Sequence, residues 1–252
     1  MRATEMHDGA RLGAVVARSP RIEADAPEDA GGFLRLAARL ADVTVMAPAG
    51  PWDPSTAGPD AGRGFTMLVL DGLLLCELHL HGEPTAHLLV AGETLDPRGP
   101  PDRVLSSDRM TWRALEDVTL AVLGDRFLAA TQRFPRLTAA LCCRQAAQLD
   151  RAVRYAAITK LPRVEQRVIA FFCAVAEERG RVVADGVLVD LPLTHECLGQ
   201  LIGAKRPTIS LALKALADDR LLTHHRGQWL LSRQVTALDS VSGGTRRPAL
   251  AA

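Results

Sequence analysis

Lysine is nearly missing from this chain. Only Lys160, Lys205 and Lys214 occur, so arginine carries the basic charge. Codon usage in a GC-rich genome produces the same bias, which therefore assigns no function. A charge imbalance is missing too: the formal net charge is +1. Any surface for nucleic acid must then be local rather than global. The five cysteines, Cys76, Cys142, Cys143, Cys173 and Cys197, form no CxxC pair and no disulfide framework, which fits a reducing compartment. No apolar run approaches the length that crosses a bilayer, and the first residues lack the apolar core of a signal peptide. The expectation is a cytoplasmic protein with no membrane partner. Catalytic signatures are also missing: there is no Gly-x-Ser-x-Gly elbow, P-loop or His-Glu-x-x-His. An enzyme is not expected, and no internal repeat is visible. What remains is 252 residues, 48% hydrophobic and 23% charged, enough for one large or two small domains with an ample core.

The most informative stretch runs from Leu193 to Leu231. Thr194 is an N-cap residue, followed by Leu198, Leu201 and Ile202 on one helical face. Gly203 supplies the turn. A second helix opens near Arg206, with Pro207 tolerated in its first turn. Ile209, Leu213 and Leu216 form its buried stripe, which leaves Arg206, Thr208, Ser210, Leu211 and Lys214 on the other side. Two short helices joined by a glycine turn make a helix-turn-helix, whose second helix can enter the major groove. The strand-like runs around Arg226-Gly227 add a wing.

Earlier in the chain, residues 1–60 carry little signal beyond a short helix within Ala30–Val45, with Phe33, Leu36, Ala37 and Leu40 on one face. Ala47–Arg63 is rich in Pro, Gly and Asp and reads as loop. Phe65–Val90 holds strands broken at Asp71-Gly72 and Gly82-Glu83-Pro84, and Met110–Val122 holds two more. Short, closely spaced strands predict a small antiparallel barrel or roll. Asp125–Lys160 is helical, with Pro135 as a break. Cys142, Ala146, Leu149, Val153 and Ala156 recur at spacings of four and three, a seam that fits a coiled-coil dimer, with Arg144, Gln148 and Arg151 flanking it. The alternative is a helix packed on its own domain. Leu161-Pro162 marks a hinge. Val164, Val168, Phe171 and Val175 then form an amphipathic helix, followed by a hairpin around Asp185-Gly186.

The stretch LTHECLGQLIGAKRPTISLALKALADDRLL resembles the DNA-binding signature of the Crp/Fnr family, the regulators related to the cyclic-AMP receptor protein. The resemblance is strong over about forty residues and weaker back to Gly64. It implies an α+β architecture with an N-terminal antiparallel β-roll sensor, cupin-like or cyclic-nucleotide-binding-like, over residues 1–127. A dimerisation helix over 128–160, a winged helix-turn-helix over 161–238 and a disordered tail over 239–252 would follow. It places Arg206 where the family's arginine bonds guanine O6 and N7. Pro207 stands where the family commonly has glutamate, and Leu211 replaces a later arginine, so the operator should differ. Lys205, Thr208, Ser210, Lys214 and Thr194 are placed for phosphate or base contact; His224, His225 and Arg226 on the wing are placed for phosphates.

In nucleotide-binding members a Gly-Glu pair precedes an Arg-Ser pair. Gly92-Glu93 matches the first, but Asp108-Arg109 stands at the second, and Asp108 would repel a phosphate. Cyclic-AMP binding through Gly92, Glu93 and Arg109 is therefore not expected; Arg103 or Ser106-Ser107 would have to compensate. A nucleotide-responsive activator stays open as an alternative. So does a metal-dependent β-roll enzyme, since His79 and His81 share a strand face and His87 lies across the hairpin; exposed strand positions are the plainer reading. The expectation is no cofactor. The expected partners are double-stranded DNA, a second copy of the chain, RNA polymerase and an unidentified small-molecule effector.

Overall fold

The computed structural model describes residues 30–54, 64–80, 83–96, 109–225 and 227–235. The chain opens with α1 (Ala30–Leu40), then strands β1 (Val43–Ala47), β2 (Gly50–Trp52), β3 (Thr66–Asp71), β4 (Leu74–Leu80), β5 (Glu83–Leu89), β6 (Thr94–Leu95), β7 (Arg109–Ala114) and β8 (Val118–Leu123). Helices α2 (Asp125–Arg133), α3 (Pro135–Ile158) and α4 (Val164–Arg179) follow. The remainder is β9 (Arg181–Val183), β10 (Gly186–Asp190), α5 (His195–Ile202), α6 (Arg206–Asp218), β11 (Leu222–His225) and β12 (Gln228–Ser232). Two corrections to the sequence reading concern the start. The predicted helix ends at Leu40, because β-branched Val43, Thr44 and Val45 continue as a strand, and the Pro/Gly-rich loop contains β2. The expected break at Pro135 separates α2 from the long helix α3, so Leu128, the first residue of the expected dimerisation segment, belongs to α2.

The roll is two antiparallel sheets, β1-β8-β3-β6 and β2-β7-β4-β5. Strand alternation sends every second side chain inward. Val45, Met67, Val69, Leu74, Leu89, Ala114, Leu120 and Val122 thus fill the space between the sheets. The outer face of the first sheet is covered by helices: Phe33, Phe127, Leu137 and Leu141 pack on Leu68, Ala121 and Leu123. The outer face of the second sheet is covered by the C-terminal domain. Leu73, Leu75 and Leu88 share one core with Val168, Phe171 and Phe172 of α4, Leu198 and Leu201 of α5, and Ile209 and Leu213 of α6.

The predicted seam and its flanks sit on opposite sides of α3. Cys142, Ala146, Leu149, Val153 and Ala156 are exposed. Arg144, Gln148 and Arg151 face the protein's own roll. The Gln148 side-chain amide nitrogen donates to the Thr94 carbonyl at 3.0 Å, while its oxygen accepts from the Thr94 N–H at 3.0 Å. β6 is an edge strand, so Gln148 satisfies backbone groups that an edge leaves open. Arg144 stacks over the Phe33 ring at 4.6 Å. Leu137, Leu141, Tyr155 and Ile158 complete the buried stripe.

Aromatics are few, 4% of the chain, and several line up. Centroid separations run 6.0 Å from His87 to Tyr155, 5.6 Å to Phe171, 5.5 Å to Phe172, 4.7 Å to Trp229 and 4.3 Å to His224. These spacings suit tilted and edge-to-face ring packing. The row runs from the roll through α3 and α4 to the wing. No helix among the described residues is long and apolar enough to cross a membrane. Phe172 is fully buried at the middle of this row. Phe172→Ala should cost about 3–5 kcal/mol in urea denaturation, through lost burial and the cavity left behind; a loss under about 1 kcal/mol would contradict this core.

Candidate nucleic-acid interface

The reading head is built locally. Thr194 Oγ1 accepts from the Cys197 N–H at 3.1 Å and caps α5. Gly203 ends α5 at φ 67°, a left-handed conformation that glycine takes without steric cost. Gly199 is needed for another reason: a Cβ there would lie 2.4 Å from the Ala204 carbonyl oxygen. Only a bare backbone lets the turn fold back on α5. Arg167 of α4 fixes the turn from outside, its Nη1 donating to the Gly203 carbonyl at 2.8 Å and its Nε to the Leu161 carbonyl at 2.7 Å. One side chain thus ties hinge, turn and α4 together. The sequence reading missed Arg167; a single arginine one turn before Phe171 on an apolar helix was its only signal.

α6 buries Ile209, Ala212, Leu213 and Leu216. Its outer face carries exposed Arg206, Pro207, Thr208, Leu211 and Lys214, with Lys205 at the N-cap. Leu211 is 70% exposed, unusual for a large apolar residue and suited to a thymine methyl. The first turn holds no acidic residue, so two basic side chains and the positive helix end reinforce one another. Ser210 is half-buried. Its hydroxyl donates to the Arg206 carbonyl at 3.1 Å and lies 2.9 Å from His195 Nδ1, stitching α5 to α6. That geometry suits internal bracing better than the expected DNA contact.

Sheet β11-β12-β10-β9 forms the wing. Trp229 Nε1 donates to the Leu191 carbonyl at 3.0 Å and anchors the wing to the domain. His224 packs on the Trp229 ring, His225 is exposed, and Arg226 lies outside the described residues. Thr194 and Glu196 line a cleft of about 830 Å³ facing Glu77, Thr111 and Arg113 of the second sheet. The start of α5 therefore faces the roll.

Of the predicted ligand residues, Gly92 and Glu93 lie in a closed turn. Glu93 is 3% exposed, accepts from the Val90 N–H at 3.0 Å and sits 2.8 Å from the Arg151 guanidinium. Arg151 also pairs with Glu178 of α4 at 2.8 Å. At Gly92 a Cβ would fall 2.5 Å from the Arg144 guanidinium. Arg109 opens β7, while Arg103, Ser106, Ser107 and Asp108 lie outside the described residues, as does the tail 239–252. His79 and His87 are not brought together. His79 lines the outer cleft, whereas His87 pairs across β4–β5 with Cys76 and lines an inner cavity. They stand on opposite faces of one sheet; His81 lies outside the described residues.

Burial raises the Glu93 carboxyl from 4.5 to about 7, outweighing the lowering by Arg151 and the Val90 N–H. Between those pH values the folded chain holds a proton that the unfolded chain has lost, so stability falls as pH rises. The unfolding free energy of the native chain should drop between about pH 4.5 and about pH 7 relative to Glu93→Gln, measured by urea titration at each pH. Parallel profiles would refute the buried, proton-binding carboxyl.

Comparison with known proteins agrees with this geometry. Residues 166–240 match the Crp-like helix-turn-helix domain family. A global nitrogen regulator of Nostoc sp. (strain PCC 7120 / SAG 25.82 / UTEX 2576) is 27% identical over 70 residues, which is 28% of this chain and 31% of that protein. Among solved structures, a CooA mutant from Carboxydothermus hydrogenoformans superposes with a TM-score of 0.61 at 18% identity, over 86% of this chain and 92% of that one. A CRP/FNR-family transcriptional regulator from Thermus thermophilus gives 0.53 at 20% identity, over 80% and 99%.

Proposed function

For this Crp/Fnr-type chain, whose C-terminal end is a Crp-like helix-turn-helix domain on the fold of CRP/FNR regulators, we propose sequence-specific binding of double-stranded DNA by a homodimer that regulates transcription. The observation that carries this is the open face of α6, where Arg206, Thr208, Leu211 and Lys214 stand exposed beyond a basic helix start. Arg206 reads a guanine bidentately, Leu211 contacts a thymine methyl, and Lys205, Thr208, Lys214 and the wing histidine His225 hold phosphates. Pro207 offers no side-chain hydrogen bond, which shifts the operator away from the usual family sequence.

Dimerisation is supported by the outer face of α3. Leu149 is 64% and Val153 62% exposed, in line with Cys142, Ala146 and Ala156. Two such helices about a two-fold would bury these stripes and set two recognition helices in successive major grooves, about 34 Å apart. The chain works in the cytoplasm, with RNA polymerase and a small-molecule effector as further partners and no catalytic step of its own. Cyclic AMP is not that effector. The carboxylate a ribose hydroxyl would need is buried against Arg151, and Gln148 takes the backbone of Thr94 beside it.

Fluorescence anisotropy on DNA from the protein's own upstream region should show binding that weakens with salt and ignores cyclic AMP. Arg206→Ala should cost about 1–3 kcal/mol of binding and relax preference at one base pair per half-site. Binding that appears only with the nucleotide would overturn the sensor reading, and an unchanged Arg206→Ala variant would overturn the placement of α6. Leu149→Glu should give a monomer in sedimentation; a dimer that persists would place the interface elsewhere.

A further inference from the structure

Two helix ends meet on one side chain. α3 ends at Ile158, and the Leu161 N–H still bonds the Ile158 carbonyl at 3.1 Å. α5 ends at Ile202, with Gly203 as its C-cap. The carbonyls just past these two ends, those of Leu161 and Gly203, both accept from Arg167, at 2.7 Å and 2.8 Å. A helix C-terminus carries partial negative charge, so a guanidinium set between two of them is favoured by each. Its N–H groups lie in one rigid plane, which fixes the two carbonyls relative to one another.

The turn of the helix-turn-helix also rests on the end of α3. Thr159 spends its hydroxyl on the Ala156 carbonyl at 2.7 Å. A Cβ at Gly203 would lie 3.6 Å from Thr159 Cβ and 3.8 Å from its methyl Cγ2, so the turn stands against that side chain. Beyond it, the Ala204 N–H bonds the Gly199 carbonyl at 2.9 Å and holds the entry of α6 to α5. A rigid path thus runs from α3 through Arg167 and the turn to α6. The Arg151–Glu178 pair does not duplicate it. Glu178 lies in the last turn of α4 and Arg167 in the first, so the two ties hold α4 at opposite ends. With one tie alone α4 can pivot; the second stops the pivot.

We propose that Arg167 is a positioning residue that sets the angle of α6 to α3 and, through it, the half-site spacing that the dimer accepts. The proposal rests on the reading of the chain as a DNA-binding homodimer joined along α3. Each α6 then hangs from its own α3 through this joint. A stiff joint admits one spacing, and a slack joint lets the two reading heads follow several. One added base pair moves the second half-site by about 3.4 Å and turns it by about 34°. A stiff dimer meets that change only by deforming the DNA or itself, at a cost in affinity.

A paired site selected from random DNA with the native chain supplies the probe. Fluorescence anisotropy then compares that duplex, duplexes with one base pair added to or removed from the spacer, and a single half-site. The native chain should lose roughly tenfold in affinity at either altered spacer. Arg167→Gln, which cannot hold both carbonyls, should lose roughly tenfold on the selected spacer and discriminate the three spacers by less than about threefold. Its affinity for the single half-site should stay within about twofold of native, since α6 itself is untouched. Arg167→Lys keeps the charge without the planar fork and should discriminate to an intermediate degree; it carries the test if Arg167→Gln loses the native circular dichroism. Native spacer discrimination in the folded variants would overturn the proposal. So would an equal loss on single and paired sites, which would make Arg167 a brace of the reading head's own fold. A native chain that selects no paired site refutes the homodimer reading, and this proposal with it. A native chain that discriminates spacers no better than its variants refutes the role of Arg167 alone.

Discussion

Arg151 stands 2.8 Å from Glu93 of the roll and 2.8 Å from Glu178 of the C-terminal domain, and its side chain is only 16% exposed. Both carboxyls and the guanidinium lose water on folding, so each depends on the others. A buried charge stripped of its partner costs on the order of 3–5 kcal/mol. The neighbouring Arg154–Glu177 pair is more than half exposed, and pairs of that kind contribute at most about 1 kcal/mol. The arrangement of roll, long helix and helix-turn-helix thus hangs more on one guanidinium than on the surface pairs around it. Burial wins over attraction at Glu93, whose carboxyl stays partly protonated near neutrality.

The same contact closes a turn that looks like part of a nucleotide site. Gly92 and Glu93 keep the residue types of one, but α3 supplies its own cation and amide to them. Gln148 satisfies the open edge of β6, and Arg144 lies against Gly92. A further concavity lies toward the hinge and reaches the helix-turn-helix through Leu201.

Much of the reading head was legible because its chemistry is local. An N-cap, a left-handed glycine and an apolar stripe at helical spacing are short-range constraints, and Thr194, Gly203 and Ile209 occupy the expected places. The strands of the roll followed from the same logic. Ser210 was not legible, since its engagement with His195 depends on how α5 crosses α6. Nor was Arg167, whose two carbonyl partners come from the hinge and the turn. Whether His79 and His87 share a face was not legible, because the period of a strand fixes parity, not register. The pairing of Cys76 with His87 sends His79 and His87 to opposite faces.

By itself, the sequence determined where the helices and most strands lie, that the C-terminal end is a winged helix-turn-helix, and which α6 residues are left for its outer face. Each of those depends on periodicity, capping or turn stereochemistry within a few residues. Only the tertiary structure decided which side of α3 meets the roll and that Glu93 is spent on Arg151. Those outcomes depend on desolvation and on contacts between distant segments, and no local pattern of residue types encodes either.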